Sequence, residues 1–323
     1  MKRFGLISII SILLCFLIQH NAYAENRLSV FVSILPQKYF VQQIGKELVD
    51  IEVMVQPGAS PATYEPKPLQ MAALAKSQIY FSIGVPFEKA WLKKIISSNP
   101  NLIVVHTDAN VKKIPMISYH HHDSFEHQQT GSYNKRKSDT PKTMDGHTAK
   151  SSHDVDHHDH NGMLDPHIWL SPPLVKIQAR AVLDALKMVD ADHSSIYEKN
   201  YRAFIAEIDR LHADIEKVLS NKRESPFMVF HPSWGYFAKT YGLKQIAVEM
   251  EGKSPKPAQL AELIQYARKH EIKVVFVQPQ FSVQSVEVIA REIGGNVIFI
   301  DPLALDWEKN LREVTSVFQA VIK

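Results

Sequence analysis

Short, almost unbroken apolar runs rich in Val, Ile and Phe recur along the chain, each bounded by Pro, Gly, Asp or Asn. Four lie near the start, at 27–36 (RLSVFVSILP), 50–58 (DIEVMVQPG), 78–84 (QIYFSIG) and 102–108 (LIVVHTD). Four more lie near the end, at 227–234 (FMVFHPSW), 244–250 (KQIAVEM), 273–280 (KVVFVQPQ) and 296–303 (NVIFIDPL). Segments with apolar residues at helical spacing separate them, among them 38–48, 69–76, 235–241, 257–269 and 285–293. Strands apolar on both faces and alternating with helices predict parallel sheets covered on both sides. Two such series predict an α/β chain of two lobes, each built on a four-stranded parallel sheet.

The segment between the two series divides into three. Residues 109–162 are poor in apolar side chains and rich in Ser, Thr, Lys, Asp and His, which predicts a solvated insertion. Residues 172–189 carry helical periodicity, and 192–222 repeat it over a longer stretch through Ile196, Tyr197, Phe204, Ile208, Leu211, Ile215, Val218 and Leu219. A helix of about 28 residues spans about 42 Å, enough to run beside both lobes and join them stiffly. Periodicity alone fits an ordinary surface helix as well. The predicted organisation is a first lobe at 25–190 with its insertion at 118–162, a linking helix at 191–222 and a second lobe at 223–323.

The first residues change the setting. Lys2 and Arg3 precede an apolar core at 4–18 and the small-residue site Ala22-Tyr23-Ala24, the pattern of a secretory signal peptide cleaved after Ala24. Leu14 before Cys15 is too bulky for the usual lipoprotein site, so a soluble exported protein is expected, in the periplasm. Cys15 is the one cysteine of the 323 residues, so the mature chain rests on its core without disulfides. The net charge of +3 falls to +1 when Lys2 and Arg3 leave, which argues against nucleic acid or an anionic surface as the main partner.

Candidate chemistry gathers where open parallel sheets bind ligands, beyond the carboxyl ends of the strands. His231 follows FMVF, Gln278 and Gln280 follow VVFV, and Asp301 follows VIFI. The loop PGASPATYEPKP (57–68), with Tyr64 and Glu65, follows IEVMV, and LDPHIWLSPP (164–173) places His167 before the helix that starts at Pro172. Singly, a histidine at a strand end can cap a turn, and Asp301 before Pro302 can open one. Together, two imidazoles and a carboxylate without thiols point to a divalent transition metal.

The stretches PGASPATYEPKP, DPHIWLSP, HPSWGYF, EGKSPKPAQL, VFVQPQFS and FIDPL, in this order, resemble the zinc/manganese solute-binding proteins of bacterial ABC importers, a cluster that includes adhesin-like lipoproteins. The resemblance runs from about residue 28 to the C-terminus. It implies two α/β lobes joined by a long rigid helix, a metal in the cleft between them, and delivery of that metal to a membrane permease by a monomeric protein. It maps ligand roles onto His167 in the first lobe and onto His231 and Asp301 in the second.

The same resemblance marks a departure. Where the family loop commonly reads P-H-x-Y-E-P with a ligand histidine, this chain has Ala62, and a methyl group cannot coordinate. Water, Glu65, Gln280 or a histidine of the insertion are the candidates for the fourth position. The insertion itself carries His120, His121, His122, His127, His147, His153, His157, His158 and His160 among several Asp residues, a compositional signal for loose metal collection. Zinc is the expected cargo, since imidazole favours Zn²⁺ over Mn²⁺. Mn²⁺, or a metal already held in a chelate that uses the space at Ala62, are the variants of the same function. A zinc hydrolase is the alternative from another class, because three protein ligands and a water form the usual catalytic zinc site. The chain has no H-E-x-x-H, G-x-S-x-G or P-loop motif to support it.

Overall fold

A computed structural model describes residues 27–116, 163–249 and 253–322. The predicted leader at 1–24 and the nine insertion histidines lie outside the described residues. The first sheet contains β1 (Leu28–Val32), β2 (Val49–Val53), β3 (Ile79–Ser82) and β4 (Ile103–His106), in the order β2-β1-β3-β4 and parallel throughout. The second contains β5 (Pro226–Val229), β6 (Lys244–Ala247), β7 (Val274–Val277) and β8 (Asn296–Phe299), in the equivalent order β6-β5-β7-β8. Both sheets are the parallel, four-stranded ones that the apolar runs predict. In each, the chain starts at an inner strand, moves out to one edge and returns to build towards the other, so the point where the order reverses lies beside β1 and β5.

The helices follow the polar and apolar spacing closely. They are α1 (Leu35–Gly45), α2 (Pro68–Leu74), α3 (Pro86–Ser98), α4 (Pro172–Val189), α5 (Ser194–Leu219), α6 (Gly235–Tyr241), α7 (Pro257–Lys269), α8 (Gln284–Glu292) and α9 (Trp307–Val321). Five of them have proline in the first turn, where the missing N–H costs nothing. The long helix α5 has 26 residues and buries Tyr197, Phe204, Ile208, Leu211, Ile215 and Leu219. It packs on α1 and α4 of the first lobe and on α9 of the second. Ile196 is left exposed one residue from the buried stripe, because Tyr197 takes the inward position and its hydroxyl donates to Asp190 Oδ2 (2.6 Å).

One continuous core runs through both lobes. Trp307 at the start of α9 packs edge-on against Phe40 of α1 (ring centroids 5.2 Å apart) and beside Tyr39 (6.2 Å), while Phe40 also meets Phe204 of α5 (6.0 Å). The Trp307 indole N–H donates to the Trp169 carbonyl (2.7 Å), and the Trp169 indole N–H donates to the Pro302 carbonyl (2.6 Å). Buried indoles need such partners, and here both cross between the lobes. A separate core sits on the outer face of the second sheet, where Met228, Phe230, Ile246, Val248, Val275 and Val277 meet Leu263 and Ala267 of α7 and Val286 and Ile289 of α8.

Candidate metal centre

His167 and His231 come from different lobes and face each other, with ring centroids 5.2 Å apart and the planes at 71°. His167 opens a short 3₁₀ turn (Ile168–Leu170) that leads into α4. Its ring lies 5.1 Å from that of Trp169, the residue tied to Pro302 beside Asp301. Asp165 stands behind it: Oδ1 accepts from the His167 backbone N–H (2.9 Å) and lies 2.6 Å from Nδ1. The second lobe makes room for that carboxylate, because a Cβ on Gly235 would stand 2.8 Å from Asp165 Oδ2. Burial pushes the His167 imidazole below its ordinary pKa against the opposing pull of Asp165, which favours the neutral ring, the form a metal ligand needs.

His231 lies just past β5 and is fixed through its backbone by Gln278, whose side-chain oxygen accepts from the His231 N–H (3.2 Å) and whose amide donates to the His231 carbonyl (2.7 Å). The same amide donates to Ser233 Oγ (3.0 Å), and Gln278 is fully buried. Phe281 stacks on the imidazole at 5.1 Å and 25°. His231 Nδ1 meets both carboxylate oxygens of Glu249, at 3.1 and 3.2 Å, and Glu249 is buried.

Asp301 stands at the rim of a cavity of about 290 Å³ between the lobes, lined by Ile34, Leu35 and residues 55–58 on one side and by Gln280, Asp301 and residues 303–305 on the other. Its Oδ1 accepts from the Leu303 N–H (2.9 Å) and from Gln280 Nε2 (3.2 Å). His167 and His231 are thus brought together, whereas Asp301 does not join them directly: among the described residues no three His, Cys, Asp or Glu side chains form a group that could hold a metal ion. Of the residues considered for the fourth position, Gln280 lies beside Asp301 and Glu65 is exposed on its loop. Tyr64 of that loop is buried instead, edge-on to Phe87 (5.8 Å) and donating to Gln70 Oε1 (2.7 Å), so it pins the loop in place. Ala62 is exposed.

The insertion starts and ends next to this site. Pro115 and Leu164 form an antiparallel bridge, and Asp165 N–H donates to the Ile114 carbonyl (2.8 Å). The Tyr236 hydroxyl of α6 accepts from the Ile114 N–H (3.1 Å) and donates to the Asp165 carbonyl (3.0 Å). Asp165 and Glu249 were not among the residues singled out by the sequence. Asp165 could have been found from the Asp-Pro-His turn, where a carboxylate two residues before a histidine can reach its ring.

Residues 30–320 match the family described as zinc-uptake complex component A, periplasmic (ZnuA). The chain is 24% identical over 307 residues to the zinc-binding lipoprotein AdcA of Streptococcus pneumoniae, covering 94% of this chain and 56% of AdcA, so it spans little more than half of that relative. It is 25% identical to the high-affinity zinc uptake system protein ZnuA of Bacillus subtilis, over 86% of this chain and 79% of that one. Among solved structures, a zinc-bound ZnuA deletion mutant superimposes with a TM-score of 0.76 at 36% identity, over 91% of this chain and 98% of that chain. The chain belongs to the ZnuA family.

Proposed function

We propose that this protein captures Zn²⁺ between its lobes, with His167, His231 and Asp301 as ligands, and delivers it to the permease of an ABC importer in the periplasm. The observation that carries the reading is the meeting of two imidazoles from opposite lobes, 5.2 Å between centroids, on a chain of the ZnuA family. Asp301 is one residue from Pro302, whose carbonyl is tied to Trp169, two residues from His167. In this reading the Asp301 carboxylate leaves Gln280 and the Leu303 N–H to join the two imidazoles on the ion, a set of two nitrogens and one carboxylate. A water takes the fourth position in the same reading, because Ala62 offers no donor atom. This donor set suits zinc better than manganese. It is a capture site and not a catalytic one.

The domain limits are part of the same reading: a leader to Ala24, a first lobe to residue 190, the linking helix to 222 and the second lobe beyond. The test is a zinc titration by calorimetry, with metal analysis, on protein lacking 118–160 and on its His231→Ala variant. The expected result is binding tighter than about 10 µM, equivalent to about 7 kcal/mol, that is lost with His231. Unchanged zinc content in His231→Ala would refute the site.

A further inference from the structure

The two imidazoles are each backed by a buried carboxylate, but the two carboxylates arise differently. Asp165 is local to His167, two residues away in the same turn. Glu249 reaches His231 through sheet pairing. In the parallel register of β5 and β6, Met228 lies opposite Ile246 and Val229 opposite Ala247, an offset of 18. The ladder continues past the strands, because Glu249 N–H donates to the Phe230 carbonyl (2.9 Å). The same offset brings Glu249 level with His231. There it lies 95% buried, with both oxygens on Nδ1 and neither paired to a lysine or arginine in any ion pair of the described residues.

We infer that Glu249 is a positioning residue for the zinc site: it holds His231 in the Nδ1–H tautomer and so leaves the Nε2 lone pair for the metal. A ring nitrogen that donates to a carboxylate fixes which nitrogen coordinates and raises the basicity of that nitrogen. Phe281, stacked on the ring, and Gln278, on the backbone, restrict the remaining freedom of His231. Asp165, 2.6 Å from His167 Nδ1, does the same for that ring, so each Nδ1 is engaged by a carboxylate and each Nε2 is left for the ion. This assignment rests on the proposed zinc site.

The test compares Glu249→Leu and Glu249→Gln with His231→Ala in the exported chain, reading zinc affinity by competition with a chromophoric chelator and imidazole tautomers by ¹⁵N NMR of the metal-free protein. Glu249→Leu is expected to weaken zinc binding by about 10- to 100-fold, the range for removing such a partner, and to release His231 from a single Nδ1–H tautomer. Glu249→Gln, which keeps an acceptor at Nδ1, is expected to retain the tautomer and recover part of the affinity. Unchanged affinity or an unchanged tautomer in Glu249→Leu would overturn the inference. So would equal losses in both variants with one oxygen fewer around zinc by X-ray absorption, which would make Glu249 a ligand. If His231→Ala itself binds zinc normally, the zinc site fails; if only the Glu249 variants do, the positioning role fails and the site stands.

Discussion

The two sheets have equivalent strand order and different side chains at their carboxyl ends. In the first lobe a buried polar network fills the ends of β1, β3 and β4, beside the stretch at 55–58 that lines the cavity. Gln37 accepts from the Ser33 N–H (3.0 Å) and donates to Thr107 Oγ1 (3.1 Å), Thr107 donates to the Ser82 carbonyl (2.8 Å), and the Tyr80 hydroxyl lies 2.6 Å from Ser33 Oγ. Glu88 completes the network, accepting from Ser33 Oγ (2.5 Å) and from the N–H groups of Ile83 and Gly84 (3.0 and 2.8 Å). In the second lobe the corresponding ends carry His231, Glu249, Gln278 and Asp301. Topology therefore supplies equivalent strand ends in both lobes, and the side chains there decide what each can do. The first lobe contributes His167 from outside its sheet, beyond the insertion.

The cores differ in the same sense, and mutations can break the contrast. Trp307→Ala removes the indole at the junction of both lobes and should cost about 3–5 kcal/mol in urea denaturation. Leu263→Ala opens the outer core of the second lobe and should cost about 2–4 kcal/mol, with faster amide exchange confined to α7 and α8. Exchange that quickens equally in α4 and α5 would show that the outer core is not separate. Next in size is the polar network of the first lobe. Burial raises the Glu88 carboxyl from 4.5 to about 6. The folded protein then holds a proton that the unfolded chain has released, so this contribution is full below about pH 4.5 and fades as pH rises through about 6. A shift of this size is about 2 kcal/mol, and Glu88→Gln should flatten the stability profile between these pH values. A slope unchanged in Glu88→Gln would assign it to other groups. The smallest expected effect gives the first lobe a strand-end ligand: Ala62→His should tighten zinc about tenfold, about 1.4 kcal/mol, by calorimetry. No gain would mean that the loop does not reach the metal.

Much of this was legible because local pattern and tertiary role coincide. The helices at Pro172–Val189, Gly235–Tyr241 and Pro257–Lys269 have the limits that proline, glycine and apolar spacing indicate. The helices α3 and α9 were not singled out, although Trp307, Leu311, Val314 and Phe318 are spaced as one buried face. His231 and Asp301 were readable as polar residues that end apolar strands. Glu249 ends one as well, in KQIAVE, but its meaning depends on which strand lies beside β6 and in what register, and a single sequence does not display that pairing. The separation of Asp301 from the histidine pair is likewise a matter of loop placement, set by the Leu303 N–H and Gln280 that hold its carboxylate.

The bridge between Pro115 and Leu164, fastened by Tyr236, has an evolutionary consequence. Both ends of the insertion leave the fold at one point, so its length is nearly independent of the scaffold. Doubling a loop whose ends are already fixed together costs only about 0.6 kcal/mol. Whatever stands between 116 and 163 can be lengthened, shortened or exchanged without moving His167, which makes this position an attachment socket where segments of different composition can be tried on one unchanged scaffold.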